Sequence, residues 1–261
     1  MPKFAANLTL LFREHAFLDR FEAAARAGFR AVEFQFPYAQ RADEIAERLR
    51  AHRLEAVLHN LPAGDWEAGD RGIACDPQRV GEFRDGVSLA ITYARRLGVR
   101  NLNCLAGIAP PGVSAEHARA TLIDNLRFAA DALKTEGIRL LIEPINTFDM
   151  PGFCVHRTAQ ALELIRATGS DNVSVQYDVY HMQRMEGELA ATLQRHLASI
   201  AHIQIADNPG RHEPGTGEIN FPFLFRWLDE IGYAGWVGCE YLPRTTTEAG
   251  LGWIDALTGR R

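Results

Sequence analysis

The sequence predicts a (β/α)8 TIM barrel, with residues 1–261 forming one domain. Short apolar runs bounded by glycine, proline or polar residues alternate along the whole chain with longer stretches of helical periodicity. Strict alternation of strand and helix implies a parallel sheet with right-handed crossovers. Eight such units fit a closed barrel, whose usual length is roughly 250 residues, better than an open sheet. A weak internal repeat agrees. Glycine followed by an apolar residue precedes strand candidates at Gly28, Gly98, Gly137 and Gly232, at spacings of 70, 39 and 95 residues. Those gaps approximate two, one and three units of roughly 33 residues each.

In order, Phe4 to Leu11 opens as a strand-like run with Asn7 inside it. Phe17, Phe21, Ala24 and Ala25 then recur at helical spacing and stop at Gly28, a good C-cap. Ala31 to Phe36 reads as the second strand and contains Glu33; Asp43 to His52 reads as a charged helix. Ala56 to Leu61 is the third strand, with His59 and Asn60 at its end. The polar, glycine-punctuated segment from Pro62 to Val80 is long for a connection in a compact domain, which marks it as functional or disordered. A helix over 82–97, a strand over 101–105 and a helix over 114–136 follow, the last with Ser114 as a plausible N-cap. The fifth strand, Arg139 to Glu143, is closed by Pro144. Helix 158–168, a strand ending at Asp178, helix 186–196, strand 200–205, helix 222–231, strand 236–240 and a final helix over 246–257 complete the chain.

With 47% apolar and 23% charged residues, a substantial core is available and global disorder is excluded. The net charge of −5 and the lack of a long basic run argue against broad binding to nucleic acid or anionic membranes. Cys75, Cys104, Cys154 and Cys239 form no Cys-x-x-Cys pair and read as free thiols in a reducing compartment. No apolar leader and no stretch of about 18 apolar residues is present, so the expectation is a soluble, cytoplasmic protein.

Four successive strand candidates finish in an oxygen-bearing side chain: Glu143, Asp178, Gln204 and Glu240. In a barrel they would converge at the carboxyl ends of the strands, where such folds keep their sites. Three carboxylates in one dry pocket raise each other's pKa and resist burial, and a divalent metal resolves that conflict. All-oxygen ligation favours Mg²⁺ or Mn²⁺ over Zn²⁺. A metal flanked by carboxylates suits proton transfer between adjacent carbons of a hydroxy-carbonyl compound, with Glu143 and Glu240 as the acid/base pair.

The segments His59-Asn-Leu-Pro-Ala-Gly-Asp-Trp, Ile142-Glu-Pro-Ile-Asn, Gln176-Tyr-Asp-Val-Tyr-His-Met, His202-Ile-Gln-Ile-Ala-Asp-Asn-Pro-Gly-Arg and Gly238-Cys-Glu-Tyr carry a resemblance. From Phe4 to Trp253 the chain resembles the hydroxypyruvate isomerase family of the xylose-isomerase-like TIM barrels. The resemblance implies Glu143 and Glu240 as catalytic residues and Glu143, Asp178, Gln204 and Glu240 as metal ligands. By analogy with the related ketose 3-epimerases, it also implies that His181 and Arg211 contact substrate oxygens. The implied activity interconverts hydroxypyruvate and tartronate semialdehyde. A branch of similar sequence isomerises 2-oxo-tetronate to 3-oxo-tetronate, and a ketose 3-epimerase is a further alternative.

An acidic substrate needs a cationic anchor. Arg211, in a glycine- and proline-rich loop, is the first candidate, with Arg71 and His59 behind it. For Arg71 the competing reading is a surface pair with Asp70 or Asp65; for His59 it is a ring satisfied by backbone. Trp66, Trp236 and Tyr241 could shape the pocket or simply pack. Gly215-Thr-Gly217 lacks phosphate-loop spacing and reads as a turn. A DNA-repair nuclease on this barrel would need a basic face and a histidine-rich zinc cluster. A silent sugar-acid binding protein would not need two bases. No nucleic-acid or membrane partner is expected; related barrels are often dimers or tetramers, which makes a homo-oligomer compatible with the fold.

Overall fold

Strand β1 (Lys3–Asn7) pairs in parallel with β2 (Ala31–Glu33) on one side and with β8 (Trp236–Cys239) on the other, and these pairings close a barrel. Between them, in chain order, run β3 (Glu55–Asn60), β4 (Asn101–Cys104), β5 (Arg139–Ile142), β6 (Val173–Asp178) and β7 (Ile200–Ile205), each parallel to its neighbours. The computed structural model describes residues 2–258. The crossover helices are α1 (Arg20–Arg26), α2 (Ala42–His52), α3 (Val80–Leu97), α4 (Ala115–Lys134), α5 (Thr158–Thr168), α6 (Val179–Met185), α7 (Leu189–His196) and α8 (Phe221–Glu230). Two short helices, α9 (Thr247–Gly250) and α10 (Trp253–Thr258), follow β8.

Parallel strands covered by helices are buried on both faces, so their apolar runs are short and nearly continuous. Outward residues such as Phe4, Val32, Leu102, Leu140, Val175 and Val237 join the main core beneath the helices. Inward residues alternate with them. Ala5, Ala31, Val57, Leu58 and Leu141 form a separate small cluster that plugs the barrel near the amino ends of the strands. Two residues further along the same strands the interior turns polar. Asn7 lies two past Ala5, Glu33 two past Ala31, and the register sets Asn7 beside Glu33 and Gln176 beside His202. That polar layer separates the apolar plug from the carboxyl-end mouth.

Several sequence expectations need correction. The first strand ends at Asn7 rather than Leu11, because the Asn7 carbonyl and side chain capture the N–H groups of Leu10, Leu11 and Thr9 in a turn. The second ends at Glu33 rather than Phe36, since the Gln35 N–H bonds to Thr9 Oγ1 instead of a neighbouring strand. Helix α6 occupies a stretch for which the sequence predicts no helix. It starts directly after β6 because Asp178 caps it, accepting from Tyr180 and His181 N–H at 2.7 and 3.4 Å. The expected terminal helix is broken in two at Leu251 and Gly252. Ser114 caps α4 as expected, accepting from His117 N–H. Among the described residues no helix is long and apolar enough to cross a membrane. All four cysteines are free; Cys75, Cys104 and Cys239 are buried and Cys154 is half-buried.

Candidate active site

The barrel delivers the predicted side chains to one place. Glu143 and Glu240 are the first residues beyond β5 and β8, Asp178 is the last of β6, and Gln204 lies one residue before the end of β7. Ligand-capable atoms of Glu143, Asp178, His181 and Glu240 all lie within 4.8 Å of one another, and all four residues are buried. Their surroundings differ. Glu143 Oε2 accepts from Asn103 Nδ2 at 2.9 Å and Gln176 Nε2 at 3.0 Å. Glu240 Oε1 accepts from Gln35 Nε2 at 2.8 Å and Asn7 Nδ2 at 3.2 Å, while its Oε2 meets Arg211 Nη2 at 2.9 Å. Asp178 spends Oδ1 on the α6 cap and leaves Oδ2 buried without a partner.

Burial, reinforced by the charges of Glu240 and Asp178, holds the Glu143 carboxyl well above the ordinary carboxylate range. Burial and the Glu240 charge push Asp178 up to about 7. Burial also raises Glu240, against the pull of Arg211 and Gln35. Among the described residues Arg211 is the only guanidinium or ammonium that any of the three meets. An unpartnered buried carboxylate oxygen beside two more carboxylates fits a hard divalent cation. Gln204 is linked to the cluster through a neighbouring amide: its Oε1 accepts from Gln176 Nε2 at 2.6 Å, the same nitrogen that bonds Glu143.

His181 is placed differently from a ligand. Asn146 Oδ1 accepts from the N–H groups of Phe148 and Asp149, which fixes its Nδ2 to donate to His181 Nδ1 at 2.6 Å. Burial and the charges of Arg211 and Arg184 keep the imidazole neutral, well below its usual pKa. The ring proton therefore sits on Nε2, which lies 3.6 Å from Asp178 Oδ2 and 3.9 Å from Glu143 Oε1. Nε2 is then a donor that faces the carboxylate cluster.

The cavity above the carboxylates holds about 510 Å³, and Glu143, Glu240, His181, Arg211, Gln35 and Trp66 are among its lining. Arg13 and Arg20 also line it. Arg20 is committed to the carbonyls of Leu8 and His15, whereas exposed Arg13 has no ion-pair partner among the described residues. The loop bearing Arg13 is pinned on both sides: Phe12 N–H bonds to Thr247 Oγ1 at 2.6 Å and Glu14 accepts from Thr247 N–H at 2.6 Å. A cleft of about 550 Å³ at the other end of the barrel, lined by Lys3, Gly28, Trp236 and Ile254, has no converging carboxylates.

Arg71 and His59 do not reach the cavity lining. Arg71 donates to the carbonyls of Trp66 and Asp70 and stacks 4.3 Å over the Trp66 ring, so it supports the wall rather than forming it. Asp70 pairs instead with Arg79. His59 is buried against Phe34 and Tyr38, and burial lowers its pKa to about 4. Trp66 lines the cavity, Trp236 sits at the opposite end, and Tyr241 packs on Trp253 in the core. The Gly215–Gly217 turn is folded onto Asp207 Oδ2, which accepts from both glycine N–H groups. Sequence reasoning assigned no role to Glu33, Asn7, Gln35, Asn103, Gln176 or Arg13. A carboxylate in the middle of a buried strand was the one signal available for Glu33.

Comparison with known proteins agrees with this geometry. Residues 21–257 match the family model described as xylose isomerase-like TIM barrel. The chain is 58% identical to hydroxypyruvate isomerase of Escherichia coli (strain K12), covering 98% of this chain and 99% of that one. It is 49% identical to 2-oxo-tetronate isomerase of Cupriavidus necator, covering 100% of each. A crystal structure described as AP endonuclease, family 2, from Brucella melitensis superposes with a TM-score of 0.95 at 47% identity, over 98% of this chain and 99% of that one. An L-ribulose 3-epimerase, at 24% identity and TM-score 0.74 over 99% of this chain and 86% of that one, shares the fold. The chain belongs to the xylose isomerase-like TIM barrel family.

Proposed function

We propose that this protein is an isomerase of small hydroxy-oxo acids that moves a carbonyl between adjacent carbons by proton transfer between Glu143 and Glu240. The observation that carries the reading is the pair of buried glutamates within 4.8 Å of Asp178 and His181, at the mouth of a barrel 58% identical to a hydroxypyruvate isomerase. Hydroxypyruvate to tartronate semialdehyde is the first candidate reaction, and 2-oxo-tetronate to its 3-oxo isomer the second.

Glu143, Asp178, Gln204 and Glu240 would hold a divalent cation, Mg²⁺ or Mn²⁺ by their all-oxygen donor set. Bound there, such an ion supplies Lewis-acid stabilisation of negative charge on the substrate oxygens. The protein's own groups do the rest. One glutamate removes a proton from the hydroxyl-bearing carbon, giving an enediolate, and the other returns a proton to the former carbonyl carbon, while the hydroxyl proton passes from the oxygen that becomes the carbonyl to the oxygen that becomes the hydroxyl. Because the reaction is reversible, the two exchange roles with direction. His181 Nε2–H donates to a substrate oxygen as charge develops on it. Arg211 and Arg13 supply positive charge for the substrate carboxylate.

A nuclease reading, raised by the name of the Brucella structure, finds less support. Among the described residues there is one candidate ligand cluster, with a single histidine, and the net charge is −5. A silent binding protein would have no use for two buried bases. Purified protein offered hydroxypyruvate and 2-oxo-tetronate, before and after chelation, tests the proposal. Turnover of at least one acid, lost on chelation and restored by Mg²⁺ or Mn²⁺, is expected; equal turnover by metal-stripped protein would remove the cation from the account.

A further inference from the structure

The polar layer below the carboxylates is organised around one residue. Glu33 is fully buried. Its Oε1 accepts from Gln204 Nε2 at 2.7 Å and Asn7 Nδ2 at 2.9 Å, and its Oε2 lies 2.6 Å from His202 Nε2. The space it fills is left by Gly238: a β-carbon there would collide with both Glu33 carboxylate oxygens. Burying a carboxylate costs free energy that an apolar side chain of the same volume would not. Simple packing therefore does not explain it.

Glu33 Oε1 accepts from both neighbouring amides, and an amide presents a donor at one end and an acceptor at the other. Glu33 thus decides which way its amide neighbours point. Gln204 must turn Nε2 toward Glu33, which leaves Oε1 to accept from Gln176 Nε2, the nitrogen that also donates to Glu143 Oε2. Asn7 must turn Nδ2 inward, where the same group also donates to Glu240 Oε1, leaving its Oδ1 for Thr9 N–H. Through one amide Glu33 reaches Glu240, and through two it reaches Glu143.

We infer that Glu33 is a positioning residue for the reaction: it fixes the Gln204 amide with its oxygen turned away from Glu33 and onto the Gln176 amide that also holds Glu143, and it holds Glu240 in register through Asn7. The inference rests on the divalent-cation reading above. Glu33 touches neither substrate nor cation; it acts through Gln204 and Asn7.

The test uses Glu33→Gln, Gln204→Glu and the double variant, each stripped of metal and titrated with Mn²⁺ by calorimetry, with thermal melting and turnover recorded alongside. Loss of an outer partner of a metal ligand weakens affinity about tenfold or more. Glu33→Gln can offer an NH₂ to Gln204 and let it flip, so weaker Mn²⁺ binding by about that factor is expected with folding retained. Gln204→Glu opposes two carboxylates across the present 2.7 Å bond, and binding is expected to be poor despite the added negative charge. The double variant restores one donor and one acceptor and should bind Mn²⁺ and turn over substrate better than Gln204→Glu alone. A merely structural Glu33 would make the double worse than either single. Wild-type binding together with undiminished binding by Glu33→Gln, or a double variant no better than Gln204→Glu, overturns the inference. No Mn²⁺ uptake by the wild type overturns the cation reading and this inference with it.

Discussion

Asn146 Nδ2 donates to His181 Nδ1 at 2.6 Å, and that bond leaves the imidazole proton on Nε2, facing the carboxylate cluster. The side chain of the fourth residue after β5 thereby sets the protonation pattern of one in the first turn of α6. Replacing Asn146 by Asp reverses the bond: a carboxylate accepts from Nδ1–H and leaves Nε2 bare. Asn146→Asp is expected to lower kcat by about a hundredfold, the usual cost of one donor to a developing oxyanion. Steady-state kinetics checks this, and His181→Ala should show a loss of similar size.

Removing either glutamate should separate chemistry from folding. Glu143→Gln and Glu240→Gln are expected to reduce kcat by about a thousandfold or more. Each also removes one of three mutually repelling carboxylates, so the metal-free variants should melt no lower than metal-free wild type. Substantial residual turnover in either variant would take that residue out of the acid/base role.

The buried acids also predict how metal-free stability responds to pH. Burial raises Glu143, Asp178 and Glu240, so the folded state takes up protons that the unfolded chain has released. Stability from such groups is complete below their unfolded values and is lost as pH rises through the folded ones. For Asp178 that window runs from its ordinary 3.8 up to about 7. Melting of metal-free protein should therefore fall as pH rises through this window, and saturating Mg²⁺ or Mn²⁺ should offset the fall at the upper end by neutralising the cluster. Scanning calorimetry with and without cation measures both.

Arg13 provides a separate handle on the substrate's charge. It lines the cavity without an ion-pair partner among the described residues, on a loop anchored to Thr247. Arg13→Ala is expected to raise KM for an acidic substrate about tenfold, the loss of one charge-assisted contact, with little change in kcat. A neutral hydroxy-ketone of the same length should be unaffected; equal effects on both would assign Arg13 to loop structure.

Thiol reactivity should single out one cysteine. Hydrogen bonding with the Cys75 thiol, 3.6 Å away, lowers Cys154 to about 7, while burial raises Cys104 to about 12. Limited alkylation near neutral pH followed by peptide mapping should modify half-buried Cys154 first.

The barrel and three site carboxylates were legible because both leave local marks. A buried apolar run must be a strand when it is too short for a helix, and an acid at its end has only the barrel mouth to face. The polar layer left no comparable mark. Asn7, Glu33 and Gln176 sit within strands whose other residues are buried on both faces, so alternation does not say which face is interior. Their role emerges only when the register brings Asn7 beside Glu33 and Gln176 beside His202. Arg71 and His59 lie off the cavity lining for the opposite reason. Their glycine-rich neighbourhood looks like a binding loop, yet it folds back on itself, with Gly72 N–H bonded to the Ala63 carbonyl. Helix α6 was hidden because one residue, Asp178, both ends a strand and caps the helix that follows.

The central claim is that two different glutamates handle the migrating proton, and proton NMR of the metal-loaded enzyme in D₂O tests it most directly. Hydroxypyruvate and 2-oxo-tetronate would be supplied in parallel. The two-glutamate account predicts turnover of at least one acid with solvent deuterium at the carbon that was the carbonyl, because the acid returning the proton exchanges with solvent independently of the base that removed it. Turnover with the original hydrogen carried wholly across would contradict it, pointing to a hydride shift or a single shielded base.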